Sequence, residues 1–574
     1  MNDSPTSPQT AWLYRALPWA LALLSGILLG ICSPPFHSSE TGLIPWLALG
    51  PLCWALWILP RPGSLQAWSR RAFLLGWLTG TISFLISLYW LTTVTRLGWV
   101  LLSLVVGLYP ALWALFVALV LRPMGEGGEG HDSAKAWLGS AANFLVALLA
   151  AAAWVAQEWL RGTLFSGFGW NTLGIGLRDS IPLIQIAAIT GSAGLSFLCV
   201  LGAATLVITI ERLRREIVKG RTKPHFDFML AVMLVVVSFS YGIGKIRSAT
   251  SSTAVLATTP IKVAGVQGNV PVYHYWDSKY DADIMEGYIR QSRLALATHP
   301  DLIVWPEAST PRPLLLDAII YNQVKAVAAD TSADFLIGSV HYEQTPRGDY
   351  NSAILLTGHA EKAQIYNKVH LVPFGEYVPF RHSFPLFSWI VGKQVPYDFD
   401  SGQGPAVMEL STKVDNQPLK IGTLICFEDT LGDLTRRFAG LGAQLLITVT
   451  NDGWFEHSVA TRQHLANAQL RTVETGLPLL RVADTGVTCW IDSLGRVKQV
   501  LHDQNGNTFI EGVLSATIPV PLNPAPTFYT LHGDLFSHVC LGLTVALSAL
   551  TFLRLRQRTF SLAPYACRVR RDAI

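Results

Sequence analysis

Long apolar runs, separated by short polar connections, occupy the first part of the chain, and one further run lies near its C-terminal end. A helix needs about 20 mostly apolar residues to cross a lipid bilayer. The runs therefore predict eight membrane spans, seven before a long polar segment and one after it. The predicted spans cover about residues 14–33, 43–60, 73–93, 99–121, 139–160, 181–210, 227–246 and 537–553.

The segment between the seventh and eighth predicted spans has a different pattern, in which short apolar runs and turn residues alternate with longer periodic stretches. That alternation is typical of an α/β domain with several layers. Helices are predicted at about residues 278–298, 315–331 and 460–476. Strands are predicted at residues 261–267, 302–305, 335–340, 352–356, 419–425, 445–450, 479–483 and 487–491.

The chain is thus predicted to have three parts. Residues 1–246 form an N-terminal membrane domain of seven spans, residues 247–535 form an extramembrane domain, and residues 536–574 form a last span with a basic tail. The composition agrees, because 50% of the residues are hydrophobic and only 14% are charged, whereas a soluble domain has about 25% charged residues. The formal net charge of +4 is too small to indicate a nucleic-acid partner.

The basic residues cluster in three connections that fall on the same side of the predicted membrane domain. Because such connections stay in the cytoplasm, both termini are predicted to be cytoplasmic and the α/β domain is predicted to lie outside. The clusters follow the second span, the sixth span and the last span, and contain Arg61, Arg70 and Arg71, then Arg212, Arg214, Arg215, Lys219, Arg221 and Lys223, then Arg554, Arg556, Arg558, Arg568, Arg570 and Arg571.

The outer end of the fifth predicted span carries two ionisable residues, Glu158 and Arg161. They are three residues apart on one helix face, so we expect an ion pair at the membrane interface. A functional role is the alternative, because ionisable groups at membrane depth are costly. Trp170, in the loop that follows, is expected in the lipid headgroup zone.

The cysteines indicate one candidate nucleophile. None of the seven forms a C-x-x-C pair, which argues against a zinc site or a disulfide framework. The outer domain contains Cys426 and Cys489. Cys489 is expected to be buried and inert within a strand, whereas Cys426 follows the strand at 419–425, where reactive groups gather in α/β sheets. Inert packing in the core remains the alternative for a single thiol at a strand end.

Two further residues can activate a thiol. Only the thiolate is strongly nucleophilic, and Glu307, just after the strand at 302–305, is suited to take the proton. When the thiolate attacks an acyl carbonyl, Lys368 and the backbone N–H of Phe427 can stabilise the negative oxygen. These residues predict acyl transfer with Cys426 as the nucleophile, although a lone Glu or Lys in a loop is usually a solvated surface charge.

These residues lie in recognisable motifs. The trio resembles the Glu-Lys-Cys site of the nitrilase, or carbon–nitrogen hydrolase, superfamily, and the arrangement of spans resembles its membrane-bound members, the apolipoprotein N-acyltransferases. Its motifs are Trp305-Pro306-Glu307, Asn367-Lys368-Val369-His370-Leu371-Val372-Pro373-Phe374-Gly375-Glu376 and Ile425-Cys426-Phe427-Glu428. Other matching segments are Glu158-Trp159-Leu160-Arg161, Val266-Gln267-Gly268-Asn269, Thr450-Asn451-Asp452-Gly453-Trp454-Phe455 and Pro478-Leu479-Leu480-Arg481.

The resemblance implies a fold and an activity. The fold would be a polytopic α-helical membrane domain of about eight spans plus an extramembrane nitrilase-like α-β-β-α sandwich domain. The enzyme would reside in a bacterial inner membrane with its catalytic domain in the periplasm. It would move an acyl chain from a phospholipid to the N-terminal α-amine of an S-diacylglyceryl-Cys apolipoprotein, the last step of lipoprotein maturation.

The resemblance also implies a mechanism and a set of partners. A thioester would form on Cys426, with Glu307 as proton acceptor and Lys368 as oxyanion stabiliser. The partners would be a phospholipid acyl donor, a diacylglyceryl apolipoprotein acceptor and membrane lipid, with no nucleic acid. No cofactor and no metal are expected, and we expect a monomer. The conversion of an ester through a thioester to an amide ends downhill, so no ATP site is required.

Four supporting residues match positions that the family uses. Glu376 is expected to orient Lys368 or Glu307, with a plain loop charge as the alternative. Glu428 is expected to fix the loop of the nucleophile. Trp276 is expected to line the substrate pocket, although its ring is equally suited to a core or an interface. Phe427 replaces the Tyr that the family usually has after the Cys, so any role of that hydroxyl is absent here.

The apolar segment at residues 384–391 lies in a loop region. We interpret it as a lid that enters the outer leaflet to admit lipid, with core packing as the alternative.

Two other functions remain open. One is a membrane-tethered amidase in which water resolves the thioester, although eight spans exceed what an anchor needs. The other is an inactive binding or transport protein, although the spans contain few charges to form a relay.

Overall fold

A computed structural model describes residues 8–34, 42–123, 133–220, 223–249, 251, 258–344, 347–381, 383, 397–414 and 417–568. The predicted lid at residues 384–391 lies outside these residues, as do Arg221 in the connection after the sixth predicted span and Arg570 and Arg571 in the basic tail.

The described residues up to 249 form helices joined by short connections. The short 3-10 helices Tyr89–Thr93, Leu164–Ser166 and Leu173–Leu177 lie in these connections. The α-helices are α1 (Pro8–Gly30), α2 (Ile44–Leu47), α3 (Gly50–Trp57), α4 (Leu65–Ser87), α5 (Arg96–Val106), α6 (Leu108–Val120), α7 (Ser133–Thr163), α8 (Ile181–Ile184), α9 (Ala187–Thr190), α10 (Ala193–Lys219) and α11 (Phe226–Ala249).

Five helical segments among the described residues are long and apolar enough to cross a membrane. They are Arg96–Val120, Trp137–Ser166, Ala193–Lys219, Phe226–Ala249 and Leu535–Arg554. Three shorter apolar helices cover Arg15–Gly30, Ile44–Trp57 and Ile181–Thr190. The total of eight spans stays a prediction.

The sixth predicted span differs in its detail from the structure. The sequence predicted one helix over residues 181–210, whereas the chain forms the two short helices α8 and α9 before the long helix α10. Gly191, at the end of α9, has a φ of +66°, in the left-handed region that glycine adopts without strain. The continuous apolar run therefore contains a helix end that its hydrophobicity conceals.

The described residues from 258 to 521 form two six-stranded sheets. Their strands are β1 (Thr258–Gln267), β2 (Leu302–Val304), β3 (Asp334–Gln344), β4 (Arg347–Thr357), β5 (Lys362–Asn367), β6 (Val407–Val414), β7 (Gln417–Ile425), β8 (Leu445–Thr450), β9 (Leu479–Ala483), β10 (Cys489–Ile491), β11 (Val497–Val500) and β12 (Gly512–Pro521). The first sheet has the order β12-β1-β2-β3-β4-β5 and the second has the order β11-β10-β9-β8-β7-β6. Strands β1, β2 and β3 run parallel, and so do β7, β8 and β9.

Apolar residues of the two sheets pack against each other, and helices cover their outer faces. Val263 and Leu302 of the first sheet share one core with Leu446 of the second. The helices are α12 (Asp281–Ala295) and α13 (Ala318–Ala328) beside the first sheet, α14 (Gly432–Gly440) and α15 (Ala460–Thr475) beside the second, and then α16 (Phe528–His532) and α17 (Leu535–Arg568). The layers follow the order α-β-β-α, as the sequence resemblance implied.

Helix α15 belongs to both parts of the molecule. Its residues Ala466, Leu470 and Val473 are buried in the core of the helical part, whereas Ala468 is buried in the core between the sheets. The polar sequence of this helix therefore does not face solvent, and its position matters for the site.

Candidate active site

The ends of parallel strands bring two of the predicted site residues together. Strand β2 ends at Val304 and leads through Pro306 to Glu307, while β7 ends immediately before Cys426. In α/β sheets the carboxyl ends of such strands hold reactive groups. Lys368 comes from the end of β5, and its side chain is only 1% exposed.

Lys368 lies between two carboxylates. Its Nζ is 3.2 Å from Oε1 of Glu307 and 2.9 Å from Oε1 of Glu376. Burial lowers the pKa of Lys368, but Glu307 and Glu376 outweigh burial and hold it well above its usual value. The ammonium therefore stays charged. The side chains of Lys368, Glu307 and Glu376 lie together, as the sequence predicted. Because Glu376 contacts Lys368, it is not a plain solvated loop charge, which was the alternative interpretation.

Two asparagines complete the surroundings of the carboxylates. Asn351 Nδ2 donates to Oε1 of Glu307 and to Oε1 of Glu376, at 2.8 Å each. The backbone N–H of Asn451 donates to Oε2 of Glu307 at 3.0 Å. The sequence analysis assigned no role to Asn351. Its only signal was an amide side chain two residues before the apolar run at 353–356 in β4.

Cys426 adopts a left-handed backbone conformation. Its φ is +53°, which is costly for a residue with a side chain and is often found at functional sites. The residue as a whole is partly exposed. Burial raises the pKa of the Cys426 thiol well above its usual value and Glu307 raises it further, while Lys368 lowers it. The resting thiol is therefore protonated and needs a base.

Glu428 joins the segment Cys426–Thr430, the nucleophile loop, to the backbone that follows Lys368. Its Oε1 accepts from the N–H groups of Val369 and His370 at 2.8 and 3.0 Å, and its Oε2 accepts from the N–H of Ile425 at 2.9 Å. The hydroxyl of Tyr366 donates to both oxygens. Burial raises the pKa of Glu428 to about 7, although the backbone donors oppose this. These contacts join the two loops, and the role of Glu428 in fixing the nucleophile loop stays a prediction.

Phe427 packs against the helical part of the molecule. Its ring stacks on Trp170, with centroids 6.1 Å apart, and on His370, with centroids 5.8 Å apart. Trp170 is only 2% exposed, so its predicted position among lipid headgroups is wrong. The indole instead donates its Nε1–H to Gln463 at 2.9 Å, because a buried Trp needs a hydrogen-bond partner.

The predicted ion pair between Glu158 and Arg161 is also wrong. Oε1 of Glu158 accepts from the Trp154 indole and from the backbone N–H of Leu173, each at 2.9 Å. Arg161 donates to the carbonyl of Trp170 at 2.7 Å and to that of Phe168. Backbone groups of the turn that follows the helix offer better-placed partners than the side chain three residues away.

Trp276 lies at the surface. It is 62% exposed and its ring lies 5.1 Å from that of Trp454, centroid to centroid. Trp454 belongs to the 3-10 helix Asp452–Phe455, which begins next to Asn451 at the carboxylate site. The exposure excludes the core alternative for Trp276, and its role in lining a substrate pocket stays a prediction.

A buried ionic cluster lies behind the nucleophile loop. His464 on α15 is 2.8 Å from Oδ1 of Asp429 through Nε2 and 3.0 Å from Oδ1 of Asp452 through Nδ1. Arg481 donates to Oδ2 of Asp452 at 2.9 Å. Asp452 and Arg481 lie in motifs that matched the family in the sequence, where neither had a predicted role, and His464 was not predicted as a site residue. One signal for this cluster was available in the sequence, because the acidic residue Asp429 lies three residues after the nucleophile Cys426.

Cys489 is fully buried in β10, and burial raises its pKa to about 12. Cys426 and Cys489 are both free thiols. The prediction of an inert Cys489 agrees with this environment.

Comparisons with known proteins cover both parts of the chain. The model of the apolipoprotein N-acyltransferase N-terminal domain matches residues 25–205, and the carbon–nitrogen hydrolase model matches residues 262–522. The apolipoprotein N-acyltransferase of Geobacter metallireducens is 32% identical over 94% of this chain and 97% of the relative. That of Methylococcus capsulatus is also 32% identical, with the same coverage, and that of Chlorobaculum tepidum is 28% identical over 94% and 97%.

These relatives match nearly the full length of the chain, and the carbon–nitrogen hydrolase model matches the part that contains both sheets. The resemblance seen in the sequence is thereby confirmed. The chain belongs to the apolipoprotein N-acyltransferase family, and it is an acyltransferase of lipoprotein maturation.

Proposed function

We propose that this protein transfers an acyl chain from a phospholipid to the N-terminal α-amine of an S-diacylglyceryl-Cys apolipoprotein, through a thioester on Cys426. The observation that carries the proposal is the position of Lys368 Nζ, 3.2 Å from Glu307 and 2.9 Å from Glu376. The charges of Glu307 and Lys368 both act on the Cys426 thiol. These observations support a site in which Glu307 is the base, Lys368 the fixed cation and Cys426 the nucleophile.

The first half-reaction forms the thioester. Glu307 takes the proton of the Cys426 thiol while the sulfur attacks the ester carbonyl of the phospholipid. Lys368 and the N–H of Phe427 stabilise the negative oxygen. The carbon–oxygen bond then breaks, and Glu307 returns the proton to the leaving oxygen of the lysophospholipid. Because the resting thiol is protonated, proton removal accompanies the attack.

The second half-reaction forms the amide. The α-amine of the apolipoprotein attacks the thioester carbonyl, and Glu307 takes the proton that the nitrogen loses. The carbon–sulfur bond breaks, and Cys426 leaves as a thiolate that regains the proton from Glu307. An amide is more stable than a thioester, so this sequence needs no nucleotide. Glu376 holds Lys368 in place during both steps, as the 2.9 Å contact supports.

The location follows from the substrates. The protein would be a multi-pass protein of a bacterial inner membrane, with both termini in the cytoplasm and the α/β domain in the periplasm. The apolar helices support a membrane location. The exposed Trp276 and its neighbour Trp454 would line the entrance for a substrate that is apolar on one side.

Thioester trapping tests this function. Purified full-length protein in detergent micelles is incubated with a phospholipid that carries a labelled acyl chain. We expect a labelled protein that hydroxylamine releases, and transfer of the label to a diacylglyceryl peptide added afterwards. Cys426→Ser should prevent formation of the hydroxylamine-labile thioester, whereas Cys489→Ser should retain it, because that thiol is inert and buried.

Each result has a distinct meaning. Full transfer by Cys426→Ser would refute the thiol mechanism. A thioester that releases fatty acid to water but not to the peptide would show hydrolysis and would refute the transfer to an amine.

A further inference from the structure

The main-chain carbonyl of Cys426 has a partner in the buried ionic cluster. Nε2 of His464 lies 3.2 Å from this oxygen, while Asp429 and Asp452 lie within 3.0 Å of the two ring nitrogens. Burial and the nearby Arg481 lower the pKa of His464, but Asp429 and Asp452 outweigh both and raise the pKa to about 9. The Cys426 carbonyl oxygen can only accept, so Nε2 carries a proton and donates to it, while Nδ1 faces Asp452 at 3.0 Å and Nη2 of Arg481 at 2.9 Å.

This hydrogen bond acts on the peptide group that joins the nucleophile to Phe427. The carbonyl and the N–H of one trans peptide point in opposite directions. A donor that fixes the Cys426 carbonyl therefore also fixes the direction of the Phe427 N–H. Phe427 is the second residue of the 3-10 helix Cys426–Thr430, and the first N–H groups of a helix have no acceptor inside it.

The charge of His464 strengthens the Phe427 N–H as a donor, in addition to fixing its direction. A charged donor on a carbonyl polarises the peptide group, which makes its N–H a stronger donor. The N–H of Phe427 is the group that the proposed function uses, with Lys368, to stabilise the oxyanion. His464 is on the opposite side of the same peptide group and does not contact that oxygen.

The neighbour of His464 holds helix α15 against the helical part. Oε1 of Gln463 accepts from Trp90, Trp170 and Asn171 at 2.9 to 3.0 Å. Its Nε2 donates to the carbonyls of two further residues of that part, Pro34 at 2.9 Å and Ser87 at 3.0 Å. The contacts of Gln463 with the helical part therefore fix the backbone of α15 from which the His464 side chain extends.

We propose that His464 is a positioning residue, which holds the Cys426–Phe427 peptide group so that the Phe427 N–H points at the developing oxyanion. The inference rests on the proposed function, in which Cys426 attacks an ester. His464 acts through the peptide group, gives up no proton during the reaction and does not touch the substrate.

Two amide substitutions test the contributions of the two ring nitrogens one at a time. The side-chain nitrogen of glutamine reaches the position of Nε2, and that of asparagine reaches only the position of Nδ1. His464→Gln therefore keeps a donor toward Cys426, whereas His464→Asn keeps a donor only toward Asp452. We expect thioester formation by His464→Asn to be about tenfold slower than by His464→Gln, the size of effect that loss of one hydrogen bond gives. The KM for phospholipid should be unchanged in both variants.

The matched control lies on the same helix. Gln469 donates to the carbonyls of Arg178 and Gly495 at 3.1 and 2.6 Å, so Gln469→Ala loses two buried hydrogen bonds without a contact to the nucleophile loop. It should lower the melting temperature and keep the rate of thioester formation per folded molecule. If His464→Asn does not fold, His464→Met takes its place, because Met fills the volume without a donor.

The possible results distinguish this inference from the function on which it rests. No thioester in the unsubstituted protein would refute the proposed function. A thioester in that protein, with equal rates in His464→Gln and His464→Asn, would refute the role of His464 alone. Rates in both variants that fall only as far as their folded fraction falls would also refute it, because a structural role suffices for that result.

Discussion

At the scale of single residues, Asn351 joins the two carboxylates of the site. Its amide and the Lys368 ammonium donate to the same two oxygens, on Glu307 and Glu376. We expect Asn351→Ala to slow thioester formation about tenfold or more, because a hydrogen bond to a charged group contributes about 1.5–3 kcal/mol. The hydroxylamine assay on purified protein measures this rate.

Ser352 offers a control on the same strand. Its side chain points to the opposite face of β4, where its hydroxyl donates to Oδ1 of Asn367 at 2.7 Å. Ser352→Ala should lose stability without the specific loss of rate. Equal rate losses in Asn351→Ala and Ser352→Ala would argue against an orienting role for Asn351.

His464 also predicts a dependence of stability on pH. The charged groups that face it are Asp429, Asp452 and Arg481. The pKa of His464 is raised from 6.5 to about 9 in the folded state, so its charge stabilises the fold fully below pH 6.5. As pH rises from 6.5 to 9, the unfolded chain releases the proton first and this contribution to stability is lost.

Thermal unfolding between pH 6 and pH 10 measures this contribution. The melting temperature of the unsubstituted protein should fall over the window more steeply than that of His464→Gln, in which the group cannot titrate. His502→Gln serves as control, because His502 is exposed, and its curve should run parallel to that of the unsubstituted protein. Parallel curves for all three proteins would contradict a charged His464.

At the scale of elements, the sequence located the strands whose ends carry the site. Strands β8 and β9 have their predicted bounds, and the buried apolar runs of β2 and β7 placed Glu307 and Cys426 at strand ends. The unpredicted strands β5 and β11 lie at sheet edges. Their polar sequences, Lys362–Asn367 and Val497–Val500, lack the apolar run that identifies a central strand. Strands β6 and β12, which were also not predicted, are the other two edge strands.

Helix α15 shows what periodicity cannot reveal. The sequence predicted the helix almost to its ends, but its many polar side chains are those of a surface helix. The structure buries Gln463, His464, Gln469 and Arg471 together, because each finds partners in other elements. Those partners are hundreds of residues away in the chain for Gln463, so only the folded arrangement reveals them.

The same helix predicts local coupling between the two parts of the molecule. Gln463→Ala removes five contacts to residues of the helical part. We expect faster amide hydrogen exchange near residues 87–90 and 168–171, because the backbone there loses its fixed partner. Hydrogen–deuterium exchange with mass spectrometry measures this in the full-length protein.

Gln469→Ala provides the matched comparison for this effect. Its lost bonds go to the carbonyls of Arg178 and Gly495, so exchange should increase near residues 176–180 and 493–496 instead. The same exchange pattern in both variants would show general loosening and would contradict a specific anchor at Gln463.

At the scale of the whole molecule, the nucleophile loop lies against the helical part. Phe427 and Ala460 share one apolar cluster with Phe84, Trp90 and Trp170. An amidase that is merely tethered to a membrane would need no such contact. The packing of the reactive loop on the helical part supports a substrate that approaches from the membrane, as the proposed phospholipid donor requires.

The predicted orientation rests on the basic clusters, and helix α11 is long enough for it. Its 24 residues extend about 36 Å at 1.5 Å per residue, enough to cross the apolar layer of about 30 Å. In this predicted orientation the basic end of α10 and the α/β domain would lie on opposite sides of the membrane. We expect Leu316→Cys, at a 64% exposed position, to react with an impermeant maleimide in cells whose outer membrane is permeabilised. Val218→Cys, at an 82% exposed position, should react only after lysis. Cys426→Ser protein without either added cysteine gives the background, and the reverse labelling pattern would overturn the orientation.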